Sequence, residues 1–131
     1  MTARSLTAVG LDGMRAIPAD RLANADQRLL QVARALATGA PALLLDEPAA
    51  GMAASERRRL AQVLRRLADD GYGVLVVEHD MALVGTVADR VTVLDAGRVI
   101  ASGSFAEIQR DPAVRRAYLG YSAEDKERAD S

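Results

Sequence analysis

No cysteine occurs in the 131 residues. That excludes a disulfide framework and a thiolate metal centre, and it fits a reducing compartment. Tryptophan is also absent, and Tyr72, Phe105, Tyr118 and Tyr121 are the whole aromatic complement. The core must therefore be packed from Leu, Val, Ile and Ala. Neither sign of charge is in excess: 17 basic residues face 18 acidic ones. This balance gives no support for a polyanion-binding surface, and nucleic acid is not an expected partner. No apolar run approaches the roughly 20 residues of a membrane span. The opening stretch MTARSLTAVG lacks the apolar region of a signal peptide. These absences lead to the expectation of a soluble, cytoplasmic protein, one still able to dock on a membrane protein.

Half of the residues are hydrophobic. The length suits one domain with a modest core. ARSLTAVGL reads as a short helix stopped near Gly10, and DGMRAIPAD as a loop broken by Pro18. From Gln27 the residues Leu29, Val32, Ala33, Leu36 and Ala37 recur at helical spacing, and Gly39 stands where a C-cap glycine belongs. ALLLD follows Pro41 as a short continuous apolar run, the pattern of a strand buried on both faces. Ser55 is expected to open a helix, SERRRLAQVLRRLADDG, with Leu60, Val63, Leu64 and Leu67 on one stripe and arginines opposite. GVLVVEH, residues 73–79, reads as a second buried strand and MALVGTVAD as a short helix.

RVTVLDAGRVIASG is expected to form two strands with Asp95–Gly97 in the turn. Ser104 and Glu107 have the spacing of a capping box. Asp111 caps a last helix, with Pro112 at its first position and Gly120 after its end. The tail SAEDKERADS is highly charged and is expected to be disordered. Strand, helix, strand, helix, hairpin and helices in this order make an α/β pattern with a parallel sheet.

Sites in such sheets lie at the carboxyl ends of the strands. Asp46 and Glu47 fall at one such end. His79 falls at the next, 33 positions after Asp46, with one helix between. One carboxylate could hold a hydrated Mg²⁺ while its neighbour faces a water. Phosphate-ester cleavage needs both, and a nearby imidazole can contact terminal phosphate oxygens. A plainer reading stands beside this one. Asp-Glu-Pro after a strand is often a solvated turn, and a lone histidine after a strand is often incidental. Their coincidence at equivalent strand ends favours the site.

LLLDEP, LVVEHD and QVARALATGAPALLLDEPAAGM together resemble the C-terminal half of an ABC transporter ATPase. VTVLDAGRVIASGSFAEIQRDPAVRRAYLG resembles the subclass that energises branched-chain amino-acid uptake, with urea and lipopolysaccharide transporters as close competitors. The resemblance covers residues 5 to about 120. It implies a partial P-loop NTPase fold, with a mostly parallel sheet, flanking helices and a C-terminal hairpin. Residues 1–40 would end the helical subdomain, and residues 41–120 would run from the Walker B strand to the C-terminal helices.

By this resemblance Asp46 matches the Walker B aspartate that holds Mg²⁺, Glu47 the glutamate that polarises the attacking water, and His79 the switch histidine. Gly51 lies in the loop facing the partner subunit. Leu22 to Gln27 falls where the family signature binds the γ-phosphate held by the other subunit, so Ala23, Asn24, Ala25 and Asp26 become nucleotide-binding positions. ATP and Mg²⁺ are the implied cofactors. The implied partners are transmembrane permease subunits and a second ATPase subunit, at the inner face of the plasma membrane.

The sequence departs from the family in three ways. It contains no G-x-x-x-x-G-K-[ST], and its one lysine, Lys126, is in the tail. The signature is altered: Ala23 removes a hydroxyl, Ala25 adds a Cβ where backbone should approach phosphate, and Asp26 adds a negative charge. Ala53 replaces an expected Asp or Asn. The chain alone is therefore expected not to hydrolyse ATP and to bind nucleotide weakly or not at all. Without the phosphate-loop strand, VLVV should present an open apolar edge, to be met by a tight homo-oligomer, a complementing N-terminal chain or a rearranged sheet. Two further readings remain. One is a non-catalytic interaction module that keeps the fold and binds a transporter subunit or its own copy. The other, ranked last, is a bare divalent-metal site at Asp46, Glu47 and His79, because adjacent acids seldom chelate one ion without further ligands.

Overall fold

The computed structural model describes residues 2–119. Gly120, Tyr121 and the charged tail lie outside them. The chain divides into two compact units, Met1–Val87 and Ala88–Ser131.

In the first unit, helix α1 spans Ala3–Ala8, with Thr2 as its N-cap. Two short 3₁₀ turns, Asp12–Met14 and Ala19–Arg21, follow where the loop was expected. Helix α2 spans Asn24–Ala37 and strand β1 Ala42–Asp46. Gly39 has φ +77 and its N–H bonds to the carbonyl of Leu36, so the C-cap expected from the sequence is formed. Helix α3 spans Ala54–Asp69, strand β2 Gly73–Val77 and helix α4 Met81–Val87. β1 and β2 pair in parallel, Leu44 opposite Leu75 and Asp46 opposite Val77.

The apolar stripes lie where their periodicity placed them. Leu29, Val32, Ala33 and Leu36 of α2 are buried, as are Leu60, Val63, Leu64 and Leu67 of α3. They form one core with Leu43 and with the half-buried Leu45, Val74 and Val76 of the strands.

Helix α3 does not open at Ser55. Its N-cap is Ala53, which has no side-chain acceptor, and Glu56 reaches back to take the Ala53 N–H at 3.0 Å. The first turn is thus held by one half of a capping box.

The strands are not buried on both faces. Leu43, Leu45, Val74 and Val76 turn to the core, while Leu44 is 75%, Leu75 59% and Val77 57% exposed. Successive side chains of a strand point to opposite faces, so one helical layer covers only every second residue. An apolar run cannot reveal that its second face has no cover. The expected open edge is therefore part of a larger open face.

In the second unit, strands β3, Val91–Asp95, and β4, Arg98–Gly103, form an antiparallel hairpin with an irregularity between Val93 and Leu94. Asp95 pairs with Arg98, which leaves a two-residue turn, Ala96–Gly97, with φ +48 and +76. Both positive angles mark a type I′ turn, which matches the strand twist. Asp95 is therefore in the ladder and not in the turn. Helix α5 spans Phe105–Arg110. Its N-cap Ser104 accepts the Glu107 N–H, but the Glu107 carboxylate takes the Ser104 hydroxyl at 3.2 Å instead of completing a box through the backbone. Asp111 caps the short α6, Pro112–Val114, with Pro112 at its start as expected. Val93, Ile108 and Val114 make this unit's core.

Candidate functional site

The parallel ladder continues one bond past β1, where the Glu47 N–H donates to the carbonyl of Val77 at 2.8 Å. Asp46 keeps the strand geometry and lies on the open face with Ala42 and Leu44. Glu47 does not: its φ is +46. A left-handed backbone costs a non-glycine residue about 1–2 kcal/mol, and at Glu47 it turns the side chain out of the pleat. The two carboxylates thus leave the strand in different directions. Pro48 and Ala49 are buried and anchor the loop. Two turns follow, Ala50 N–H to the Glu47 carbonyl at 3.2 Å and Met52 N–H to the Ala49 carbonyl at 3.1 Å. Gly51 is exposed with φ +75, a conformation that suits glycine.

Two residues after β2, His79 meets Glu47. Its Nδ1 lies 3.3 Å from Glu47 Oε1, and both side chains remain open to solvent, 74% and 55% exposed. The structure therefore brings together Glu47 and His79, which stand 32 positions apart in the chain. Asp46 is exposed at the same rim, and its carboxylate has no hydrogen bond or ion pair among the described residues. A carboxylate beside an imidazole, both reached by water, can accept a proton from a bound water and orient it.

Asp46, Glu47 and His79 do not form a bare metal centre. Among the described residues no group of three or more His, Cys, Asp or Glu is gathered to hold an ion. A single free carboxylate does suit Mg²⁺, which keeps several waters and completes its shell with one or two carboxylates and phosphates.

The start of α2 is built differently from the expected phosphate-facing surface. Ala23 is the N-cap and offers no side-chain acceptor; Ala23 and Asn24 are exposed. Ala25 and Asp26 are turned inward, at 6% and 8% exposure. The Ala25 methyl is packed in the core. The Asp26 carboxylate bonds to Arg59 of α3 at 2.6 Å, and Arg59 also donates to the carbonyl of Gly10 at 3.4 Å. The added charge at position 26 is thus paired within the fold. A buried carboxylate without a partner would be far more costly than one so paired.

The sequence reading did not single out Glu78, Asp80, Arg57 or Arg59. Glu78 accepts the Ala49 N–H at 3.0 Å through Oε1, and the His79 and Asp80 N–H groups at 3.2 and 3.3 Å through Oε2. Asp80 accepts the Leu83 N–H at 3.1 Å and pairs with Arg57 at 3.2 Å. Arg57 also donates to the carbonyl of Met52 at 2.8 Å. The available signal was that β2 ends on three successive titratable residues, Glu78, His79 and Asp80, which is more than a solvated turn requires.

A family model described as branched-chain amino acid ATP-binding cassette transporter matches residues 98–124. The chain is 42% identical over 103 residues to the high-affinity branched-chain amino acid transport ATP-binding protein LivG of Salmonella typhimurium, across 78% of this chain and 40% of that protein. It is 39% identical, over the same shares, to BraF of Pseudomonas aeruginosa, which bears the same description. The crystal structure of the ADP conformation of MJ1267, an ATP-binding cassette of an ABC transporter, superposes with a TM-score of 0.81 at 26% identity, covering 89% of this chain and 48% of that one. The chain thus spans less than half the length of the proteins it matches.

Proposed function

Because the chain has a partial ABC ATPase fold and its sequence matches the C-terminal part of ATP-binding proteins of branched-chain amino-acid transport, we propose that it supplies the water-activating portion of such an ATPase. In this reading Glu47 orients and deprotonates the attacking water, His79 faces the γ-phosphate, Asp46 holds Mg²⁺, and Gly51 lies in the loop against a second ATPase subunit. The observation that carries the reading is the contact of Glu47 with His79 at the end of two parallel strands.

The residues present fit the ion and the water better than they fit the nucleotide. Asp46 is a free carboxylate on the rim. Mg²⁺ bound there would offset phosphate charge. The sequence has no G-x-x-x-x-G-K-[ST], and no lysine occurs among the described residues. Arg57, the arginine bonded to the two rim loops, is committed to Asp80 and Met52. Phosphate binding must therefore come from other polypeptide, and the chain alone turns over no ATP. The proposed solute class is branched-chain amino acids, and the proposed partners are permease subunits at the cytoplasmic face of the membrane. No helix among the described residues is long and apolar enough to cross a membrane.

The test is Mg²⁺-dependent ATP turnover by the purified chain, alone and mixed with a polypeptide carrying the phosphate loop of a matched ATPase. Turnover only in the mixture, abolished by Glu47→Gln, is expected. Turnover by the chain alone that Glu47→Gln removes would overturn the statement that the chain needs a complement.

A second reading, a non-catalytic module that binds a transporter subunit or a copy of itself, draws support from the inward Asp26 and Ala25 and from the open face at Leu44, Leu75 and Val77. Thermal unfolding separates the two. In the mixture, ATP with Mg²⁺ raises the midpoint under the first reading and leaves it unchanged under the second.

A further inference from the structure

Glu47 and His79 belong to different loops, and nothing in either loop's own turns fixes the distance between them. Their direct contact is an exposed pair, of a kind that contributes little on its own. Two other side chains bridge the same loops. Glu78 stands at the end of β2, half-buried, and one of its oxygens takes the N–H of the buried Ala49 across 29 positions. Its other oxygen takes the N–H groups of His79 and Asp80. A single carboxylate therefore grips the loop after the acid pair with one oxygen and the histidine's own backbone with the other. Arg57, in the first turn of α3, makes the second bridge: it binds the carbonyl of Met52 and the carboxylate of Asp80. Asp80 in turn takes the Leu83 N–H at the start of α4.

We propose that Glu78 and Arg57 are positioning residues that hold Glu47 against His79, so that a displacement of residues 49–52 is transmitted to the imidazole. The proposal rests on the reading of Glu47 and His79 as the functional pair. Its physical basis is geometric. A carboxylate accepting charge-assisted bonds from three amides has few orientations left, and its anchor on Ala49 lies two residues from Glu47. Movement of the loop that contains Gly51 must either carry Glu78 with it or break the Ala49 bond. The His79 amide is tied to the same carboxylate, so the ring follows.

Histidine occurs once in the sequence, which makes the ring resonances of His79 an unambiguous probe in the intact chain. Glu47→Gln provides the reference spectrum for a ring that has lost its carboxylate. Glu78→Asp keeps the charge and an acceptor for the local amides but is too short to reach Ala49. It is expected to move the His79 ring resonances toward the Glu47→Gln positions and to speed hydrogen exchange at the Ala49 amide roughly tenfold. Arg57→Ala is expected to produce a smaller shift in the same direction. Glu78→Gln, with one acceptor oxygen, should fall between wild type and Glu78→Asp. A purely structural role would alter exchange or unfolding and leave the ring spectrum in place. Ring resonances of Glu78→Asp and Glu78→Gln that coincide with wild type would overturn the proposal, as would an Ala49 amide whose exchange is unchanged. No arm contains nucleotide, so a failure of these bridges is distinguishable from a failure of ATP turnover in the mixture.

Discussion

At the ends of β1 and β2 the polar side chains stand in solvent, with Glu47 and His79 both more than half exposed. At the start of α2 the corresponding polar side chain, Asp26, is folded inward onto Arg59. The resemblance assigns both segments to nucleotide, the rim to this subunit's own and the start of α2 to the one held by the other subunit. The rim keeps side chains free to meet a water or an ion and leaves the stiffening to neighbours, Glu78 and Arg57. The start of α2 uses its polar group to join two helices. What separates the two is the supporting structure. A carboxylate can remain available at the rim because backbone amides and another carboxylate hold its loop. A carboxylate at position 26 lies on the packed side of an amphipathic helix, where only pairing makes it tolerable.

The sharpest challenge to this contrast is Asp26→Ala. It leaves the partly buried Arg59 without its carboxylate, and the expected loss is about 2 kcal/mol, reduced from a fully buried pair because the Arg59 side chain keeps 38% exposure. Urea unfolding measures it, and a loss below about 0.5 kcal/mol would make Asp26 as solvent-like as the rim. Ala23→Ser comes next. Ala23 has the extended backbone of an N-cap, φ −60 and ψ 153, but no acceptor. A serine hydroxyl there should add about 1 kcal/mol by taking a first-turn N–H, read as a raised thermal midpoint. It adds the hydroxyl that the resemblance implies at this position without disturbing Asp26. The smallest expected effect is at the rim itself. Glu47→Gln should change stability by no more than about 0.5 kcal/mol, since exposed pairs contribute little, while abolishing turnover in the complemented mixture. A large loss of stability would place Glu47 in the framework rather than in the chemistry.

Much of the architecture was legible because it depends on local periodicity. Leu29 to Leu36 and Leu60 to Leu67 mark their buried faces by helical spacing alone. Asp111 with Pro112, and Gly39, mark helix ends through backbone chemistry that needs no distant partner. The position of Asp46, Glu47 and His79 at adjacent strand ends was legible for a related reason: in a parallel sheet, residues that end equivalent strands share a rim. The readings that needed correction all depended on neighbours. Leu44 and Leu75 look as buried as Leu43 in a string of letters, yet both are more than half exposed. Ser55 looks like a cap, but Glu56 bonds to the Ala53 backbone and starts the helix earlier. The direction in which Ala25 and Asp26 turn was likewise beyond the sequence: the rotation of α2 points them at the core and at Arg59.

The order of residues alone set which segments are helix and strand, which stripe of each helix is apolar, and that two acids and an imidazole share a sheet rim. These follow from spacing and from the short-range chemistry of caps and turns, which each stretch of chain carries with it. Three features came from folding in three dimensions: which strand face is covered, that Asp26 answers Arg59 across 33 positions, and that Glu78 and Arg57 tie the two rim loops together. Those contacts join residues far apart in the chain, and their partners are chosen by how helices and strands come to lie against one another.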